Sequence, residues 1–162
     1  SWRMSQIKVL QNQFAVEILG EKWSPNQTWN SYSLLKEPIN WEVCRVNGSY
    51  VFGFVDNPTP ISTQFQDLTG WECFHNKVHI EDHLPESCSP LDCFQTSLQD
   101  MPLFARRLQQ QFPDEEFELF TSFDGEYAVL NFHKIRAGEE YLMDDLDAYS
   151  SEAIFVLRIL RS

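Results

Sequence analysis

Apolar and polar residues alternate on both sides of the dipeptide Asn47-Gly48. Asn-Gly favours the positive φ angles of a two-residue turn, and a period of two is typical of a half-buried strand. The pattern predicts a β-hairpin in which Val46 lies opposite Ser49. This register puts four apolar side chains on one face of the hairpin, which we expect to face the core. They are Trp41, Val43, Phe52 and Phe54.

A second alternating segment, residues 117–135, is interrupted by Asp124-Gly125. Asp-Gly is another turn dipeptide, so this segment predicts a second hairpin, with Phe123 opposite Glu126. The predicted register groups four apolar side chains from the two strands on one face. They are Phe117, Leu119, Leu130 and Phe132.

Other apolar stretches predict strands without a turn signal beside them. The continuous β-branched and apolar run at residues 153–160 predicts a strand that is buried on both faces. Three further strands are predicted over residues 7–19, 71–74 and 78–80. Segments rich in Pro, Asn and Ser predict long loops over residues 20–40 and 56–70, the first with a short helix near residues 32–36.

Helical signals follow residue 88. Ser89 is a suitable N-cap, with Pro90 at the first helical position and Asp92 in place to complete a capping box. Asp100 is in place to cap a second helix that contains Pro102 in its first turn and ends before Pro113. The apolar face of this second helix has helical spacing. It consists of Met101, Phe104, Ala105, Leu108 and Phe112.

A third helix is predicted after Gly138, over residues 139–149. Its inner face would carry Leu142, Leu146 and Tyr149, which recur at helical spacing. Together these elements predict the α+β class, with a mainly antiparallel, twisted sheet of about six to eight strands packed against two or three helices.

Length and composition predict a single domain over residues 1–162. A chain of 162 residues with 43% apolar and 14% aromatic residues can bury a sizeable core. Ser1, Trp2 and Arg3 precede Met4, and we expect Met4 to be the natural start. The chain shows neither a signal peptide nor an apolar run of membrane-spanning length, so we expect a cytoplasmic protein with free thiols.

Negative charge is concentrated in the last third of the chain. The net charge of the whole chain is −12. Between residues 114 and 152 there are twelve carboxylates, and the only basic residues are Lys134 and Arg136. Such a charge attracts basic surfaces, whereas it repels nucleic acid and anionic membranes. The carboxylates are Asp114, Glu115, Glu116, Glu118, Asp124, Glu126, Glu139, Glu140, Asp144, Asp145, Asp147 and Glu152.

The third predicted helix carries the densest part of this charge. Glu140, Asp144 and Asp147 would form one stripe opposite the leucines, with Glu139 and Asp145 beside it. Three interpretations fit this pattern: a solvated helix face, a docking surface for a cationic partner, or a carboxylate site for Mg²⁺ or Ca²⁺. We assign these five residues to partner binding, with no catalytic residue and no metal ligand.

A second candidate is a run of cysteine and histidine at residues 73–93. These residue types bind zinc, but their spacing is irregular and contains no Cys-x-x-Cys pair. Cys88 and Cys93 flank the Ser89 cap, where small apolar side chains also have a structural use. We therefore predict no cofactor. The residues of this Cys/His run are Cys73, His75, His79, His83, Cys88 and Cys93.

The leading functional hypothesis is an acidic, non-enzymatic binding protein that docks on a basic partner protein and neutralises it. An immunity protein against a nucleic-acid-targeting toxin or nuclease would have these properties, since such partners carry basic active sites. The alternative is a small metal-dependent enzyme that uses the Cys/His run or the carboxylates of residues 139–149. A third hypothesis is an adaptor subunit that is acidic only for solubility.

Overall fold

The computed structural model describes residues 6–26, 40–55, 58, 65 and 67–161, and it has the predicted α+β fold. Two antiparallel sheets pack with helices in this part of the chain. The strands are β1 (Gln6–Gln11), β2 (Val43–Val46), β3 (Ser49–Phe52), β4 (Val78–His79), β5 (Phe117–Phe123), β6 (Ala128–Lys134) and β7 (Ala153–Leu160). The helices are α1 (Gln13–Leu19), α2 (Leu68–His75) and α3 (Pro90–Gln111).

The larger sheet has the strand order β1-β7-β5-β6-β4, and β2 and β3 form a separate hairpin. Both β6 and β7 run antiparallel to β5, so they are parallel to each other. The segment that joins them, residues 135–152, must therefore cross over β5 on one face of the sheet. We call it the crossover. The strand predicted at residues 153–160 is confirmed as β7, which is buried along nearly its whole length.

Helix α3 covers the face of the sheet opposite the crossover and forms the main core with it. The predicted capping box is confirmed, because Ser89 Oγ accepts the N–H of Asp92 and the Asp92 carboxylate accepts the N–H of Ser89. The prediction of two helices is wrong: α3 is one helix of 22 residues with Pro102 inside it, and Asp100 is buried rather than capping. A continuous apolar face on the sheet compensates for the hydrogen bond that Pro102 cannot make.

The first hairpin has the predicted register, with Val46 opposite Ser49. Asn47 and Gly48 have φ angles of 51° and 79°, as a type I′ turn requires. Of the predicted core face, Trp41, Val43 and Phe52 are buried, whereas Phe54 is 47% exposed.

The register predicted for the second hairpin is wrong by two residues. Phe123 pairs with Ala128 instead of Glu126, and a longer loop joins the strands. The Asp124 carboxylate accepts the N–H groups of Glu126 and Tyr127, both at 2.8 Å, and this holds the longer loop. A shift of two residues leaves each side chain on its predicted face, so the apolar grouping is retained.

Of the weaker strand predictions, the one at residues 7–19 is confirmed only for its first part, and the one at residues 71–74 is wrong. Residues 7–19 divide into β1 and α1, because Asn12 caps α1 and Gly20 ends it in the left-handed conformation. Residues 71–74 lie in α2, which Asp67 caps, so α2 also takes the end of the predicted 56–70 loop. The strand at residues 78–80 is confirmed for β4, after which a 3-10 turn begins. The helix predicted near residues 32–36 lies outside the described residues.

The third predicted helix, residues 139–149, is wrong. The crossover is irregular there and contains only a 3-10 turn, Leu146–Ala148. Like charges at helical spacing disfavour a helix, and several of these carboxylates accept hydrogen bonds from backbone N–H groups instead. Leu142, Leu146 and Tyr149 do pack inward, in a second, smaller core with Phe120 of β5.

Candidate functional site

Four charged or ionisable side chains form one row across the larger sheet. Lys8 of β1 lies opposite Arg158 of β7, Arg158 lies opposite Glu118 of β5, and Glu118 lies opposite His133 of β6. Because neighbouring strands place directly paired residues on the same face, the four side chains share the face that the crossover covers. This row is the floor of the candidate site.

Glu118 is the centre of the row. One carboxylate oxygen accepts Arg158 Nε at 2.6 Å, and the other lies 3.0 Å from His133 Nε2. His133 Nδ1 lies 2.7 Å from the carbonyl oxygen of Lys134. Burial alone would raise the pKa of the Glu118 carboxyl, but the hydrogen bonds and charges of His133 and Arg158 outweigh burial and hold the pKa below its usual range. The floor is therefore fixed by hydrogen bonds at each of its inner members.

The floor opens into a cleft of about 300 Å³ between the sheet and the crossover. The crossover supplies one side of the cleft with Glu140, Tyr141 and Asp144. The Tyr141 ring stacks on Phe120 with 5.7 Å between centroids, and Tyr141 as a whole is 48% exposed. The cleft thus combines charges of both signs with an aromatic wall.

The wall on the α2 side contains a buried ion pair. Arg136 donates from Nη1 and Nη2 to the two oxygens of Glu72, at 2.7 and 2.8 Å. Glu72 is fully buried, and its oxygens also accept the N–H groups of Tyr50 and Lys134. Arg136 is therefore held in place before any ligand enters the cleft.

Three of the five residues predicted to bind a partner accept hydrogen bonds within the fold. Glu139 accepts the N–H and the hydroxyl of Thr69 at the start of α2, both at 3.1 Å. Asp147 accepts the N–H of Gln13 at the start of α1 at 2.6 Å. Asp145 caps the 3-10 turn through the N–H of Asp147. Asp147 and Glu139 thus hold the crossover against α1 and α2.

The other two predicted residues, Glu140 and Asp144, are exposed. Neither side chain has a hydrogen bond or ion pair with the rest of the described chain. Between them lie Tyr141 and Met143, which are 48% and 54% exposed. The crossover therefore presents two free carboxylates beside two exposed apolar side chains.

The far end of the crossover is fixed by Asn12. Its amide group donates to the carbonyl oxygens of Leu146, Tyr149 and Glu152, at 2.9 to 3.3 Å. Its side-chain oxygen accepts the N–H groups of Ala15 and of Ile154 in β7. A single buried side chain thus joins α1, the crossover and β7.

A comparison with known protein families finds a match that covers most of the residues described above. The sequence matches the Uncharacterized protein PM0498 family over residues 12–160. The chain belongs to this family. The matched range contains the crossover and every member of the charged row except Lys8.

One relative in this family is the "Uncharacterized protein PM0498" of Pasteurella multocida (strain Pm70). It is 31% identical to this chain over 83 residues, which are 49% of this chain and 49% of the relative. The chain thus spans about half the length of the curated relative that it matches. No solved structure matches the chain. None of the helices in the described ranges is long and apolar enough to cross a bilayer.

The Cys/His run does not converge on one point. Within the residues that the structure describes, no group of three or more His, Cys, Asp or Glu side chains could hold a metal ion. Cys73 belongs to the small core under the crossover, whereas Cys93 belongs to the main core under α3. Burial raises the pKa of the Cys93 thiol to about 11, so it stays protonated at neutral pH.

Sequence analysis missed the charged row. Glu118 was counted only as part of the total charge, and His133 and Arg158 were not singled out. A usable signal was present: each of these residues is an ionisable side chain within an otherwise mainly apolar strand. Knowledge of the strand order was needed to show that the three strands are neighbours.

Proposed function

We propose that this protein binds a basic partner protein through the exposed part of the crossover and neutralises it. The observation that carries the proposal is the surface formed by Glu140, Tyr141, Met143 and Asp144. We call it the crossover surface. Tyr and Met are enriched at protein interfaces, and carboxylates beside them favour a cationic partner.

Charge supports this choice of partner. The whole chain has a net charge of −12, so a basic protein is attracted from a distance while nucleic acid and anionic lipid are repelled. Glu140 and Asp144 have no internal partner in the described chain, so a partner's Lys or Arg does not have to displace an existing bond. Glu139, Asp145 and Asp147 accept hydrogen bonds that hold the rest of the crossover in place.

A basic partner that acts on nucleic acid fits this surface best. Such a protein needs a positive surface to bind phosphates, and an acidic protein that covers that surface blocks the substrate. An immunity protein against a nucleic-acid-targeting toxin is the corresponding biological role. All four cysteines are free thiols, which is consistent with the cytoplasmic location that this role requires.

We propose binding rather than metal-dependent catalysis. Cys73 and Cys93 of the Cys/His run lie in two different cores, and three carboxylates of the crossover already accept hydrogen bonds from the fold. Both oxygens of Glu118, the most buried carboxylate of the cleft floor, are also engaged. A metal-dependent enzyme would need these cysteines and carboxylates to be free for a metal ion or substrate. Their burial and hydrogen bonds support structural roles.

The test uses a double charge reversal, Glu140→Lys with Asp144→Lys. The partner to test first is the product of the neighbouring gene, co-expressed with this chain and assayed by surface plasmon resonance. We expect the association rate to fall about tenfold and the salt dependence to flatten, because exposed charges mainly steer encounter. Separately, Tyr141→Ala should speed dissociation, because a buried aromatic anchor contributes mainly to the lifetime of a complex.

The matched control is Glu17→Lys with Glu86→Lys. Both residues are exposed and lie on α1 and in the loop before α3, outside the crossover surface. This control changes the net charge by the same amount, so it should leave the dissociation constant nearly unchanged. Equal effects of the two double variants would show that the total charge, and not the crossover surface, attracts the partner.

A further inference from the structure

Two cations stand side by side on the floor of the cleft. Lys8 and Arg158 are directly opposed on β1 and β7, an arrangement that like charges disfavour. Arg158 donates to Glu118 through Nε alone. Within the described chain, neither the two Nη atoms of Arg158 nor Nζ of Lys8 has a hydrogen-bond acceptor. An excess of positive charge therefore lies on the floor of a cleft in a strongly acidic protein.

At the rim of the same cleft, the charged groups without a partner are anions. Glu140 and Asp144 line it from the crossover, and their carboxylates have no donor in the described chain. The remaining charges of the cleft are engaged, because Arg136 pairs with Glu72, and Glu139 accepts two hydrogen bonds from Thr69. The unused groups are thus two cations on the floor and two anions at the rim.

The size and walls of the cleft limit what could satisfy these groups. Its volume of about 300 Å³ is at the lower end for ligand pockets, which indicates a small molecule. Ile135, Leu142 and Leu160 add apolar wall beside the exposed ring of Tyr141. A guanidinium with free Nη atoms binds a carboxylate well, and two carboxylates bind an ammonium group.

We infer that the cleft binds a small zwitterion that carries a carboxylate and an ammonium group, as a free amino acid does. Lys8 and Arg158 take the carboxylate, and Glu140 and Asp144 take the ammonium group. The hydrogen bonds that Glu118 accepts from Arg158 and from His133 keep the floor in position. The cleft shares Glu140, Tyr141 and Asp144 with the crossover surface. Lys8 belongs only to the cleft, so a Lys8 variant tests ligand binding separately from partner docking.

The experiment is an NMR titration of the ¹⁵N-labelled full chain with a panel of defined probes. The probes are the standard α-amino acids and the ω-amino acids from β-alanine to 6-aminohexanoate. We expect at least one of them to shift the amide signals of Arg158, Tyr141 and Asp144 in a saturable way. A carboxylate without an amine and an amine without a carboxylate, each of matched length, should bind about tenfold more weakly than that probe.

Variants locate the binding. Lys8→Gln and Asp144→Asn should each weaken binding of the probe about tenfold, because each removes from the protein one charge that contacts one end of the ligand. The matched controls are Lys77→Gln and Glu86→Gln, which remove exposed charges outside the cleft and should leave the affinity unchanged.

Three results would overturn the inference: no saturable shift at the cleft with any probe, equal binding of the carboxylate without an amine, or equal effects of Lys8→Gln and Lys77→Gln. Lys8→Gln should leave binding of the protein partner intact, so the failure of one proposal is distinguishable from the failure of the other.

Discussion

Glu72 and Arg136 form a bidentate ion pair in which the carboxylate is completely buried and the guanidinium side chain is 11% exposed. The two oxygens of Glu72 also accept the backbone N–H groups of Tyr50 in β3 and Lys134 in β6. One side chain of α2 therefore connects the small hairpin, the large sheet and the start of the crossover. Asn76, one turn later, adds hydrogen bonds to Tyr50 and Phe52.

Glu72→Gln should destabilise the protein by about 3–5 kcal/mol, because it leaves the charge of Arg136 buried without a counter-ion. Urea unfolding followed by tryptophan fluorescence measures this change. The control is Lys134→Gln, which breaks a partly exposed ion pair with Glu115 and should cost about 1 kcal/mol or less. Similar losses in the two variants would contradict the structural role given to Glu72.

Asn12→Ala should cost about 3 kcal/mol or more, because it removes the cap of α1 and leaves several buried backbone groups without partners. Asn12→Ser keeps an oxygen that can cap α1 but cannot reach the crossover, so its loss should be intermediate. Hydrogen exchange should locate the effect: in Asn12→Ser the amides of residues 146–154 exchange faster while those of α1 remain protected. Uniformly faster exchange in both variants would show that Asn12 does not act separately on the two segments.

Stability should fall in acid partly through Glu118. Its folded-state pKa is held below the ordinary value of 4.5, so the unfolded state binds the proton more readily. The contribution of Glu118 is therefore fully present above pH 4.5 and is lost as the pH falls through the lower, folded-state pKa. In Glu118→Gln the free energy of unfolding should be lower at neutral pH and should depend less on pH in the acid range. A wild-type acid profile in that variant would contradict this role.

Gly48→Ala should destabilise the protein by about 1 kcal/mol, because the φ angle of 79° is costly for a residue with a side chain. Gly53→Ala is the matched control in the same hairpin. Its φ angle is not in the left-handed region, and an added Cβ would meet its nearest atom at an ordinary 3.5 Å. Thermal unfolding compares the two variants, and an equal loss of stability in both would show that the turn geometry is not the cause.

Local patterns predicted the elements whose signals lie within a few residues. The register of the first hairpin follows from Asn47-Gly48, and the start of α3 follows from Ser89 and Asp92. The continuous apolar run of β7 was enough to predict a buried strand. In each case the chemistry that decides the structure is adjacent in sequence.

The crossover could not be predicted in the same way. Leu142, Leu146 and Tyr149 have helical spacing, but they pack inward from an irregular segment just as well. The partners of its carboxylates, Thr69 and Gln13, lie far away in the sequence. The charged row is equally non-local, since its four members come from four strands whose order only the folded sheet reveals.

The position of β7 between β1 and β5 also determines the order in which the sheet can assemble as the chain is synthesised. The hairpin of β5 and β6 can form as soon as both strands have left the ribosome, but among the described strands β1 has no partner until residues 153–160 follow. Until then β1 and the apolar edge of β5 remain unpaired, which is the state in which strands of nascent chains pair with wrong neighbours. Completion of the fold therefore waits for β7, and the last step joins segments almost 150 residues apart.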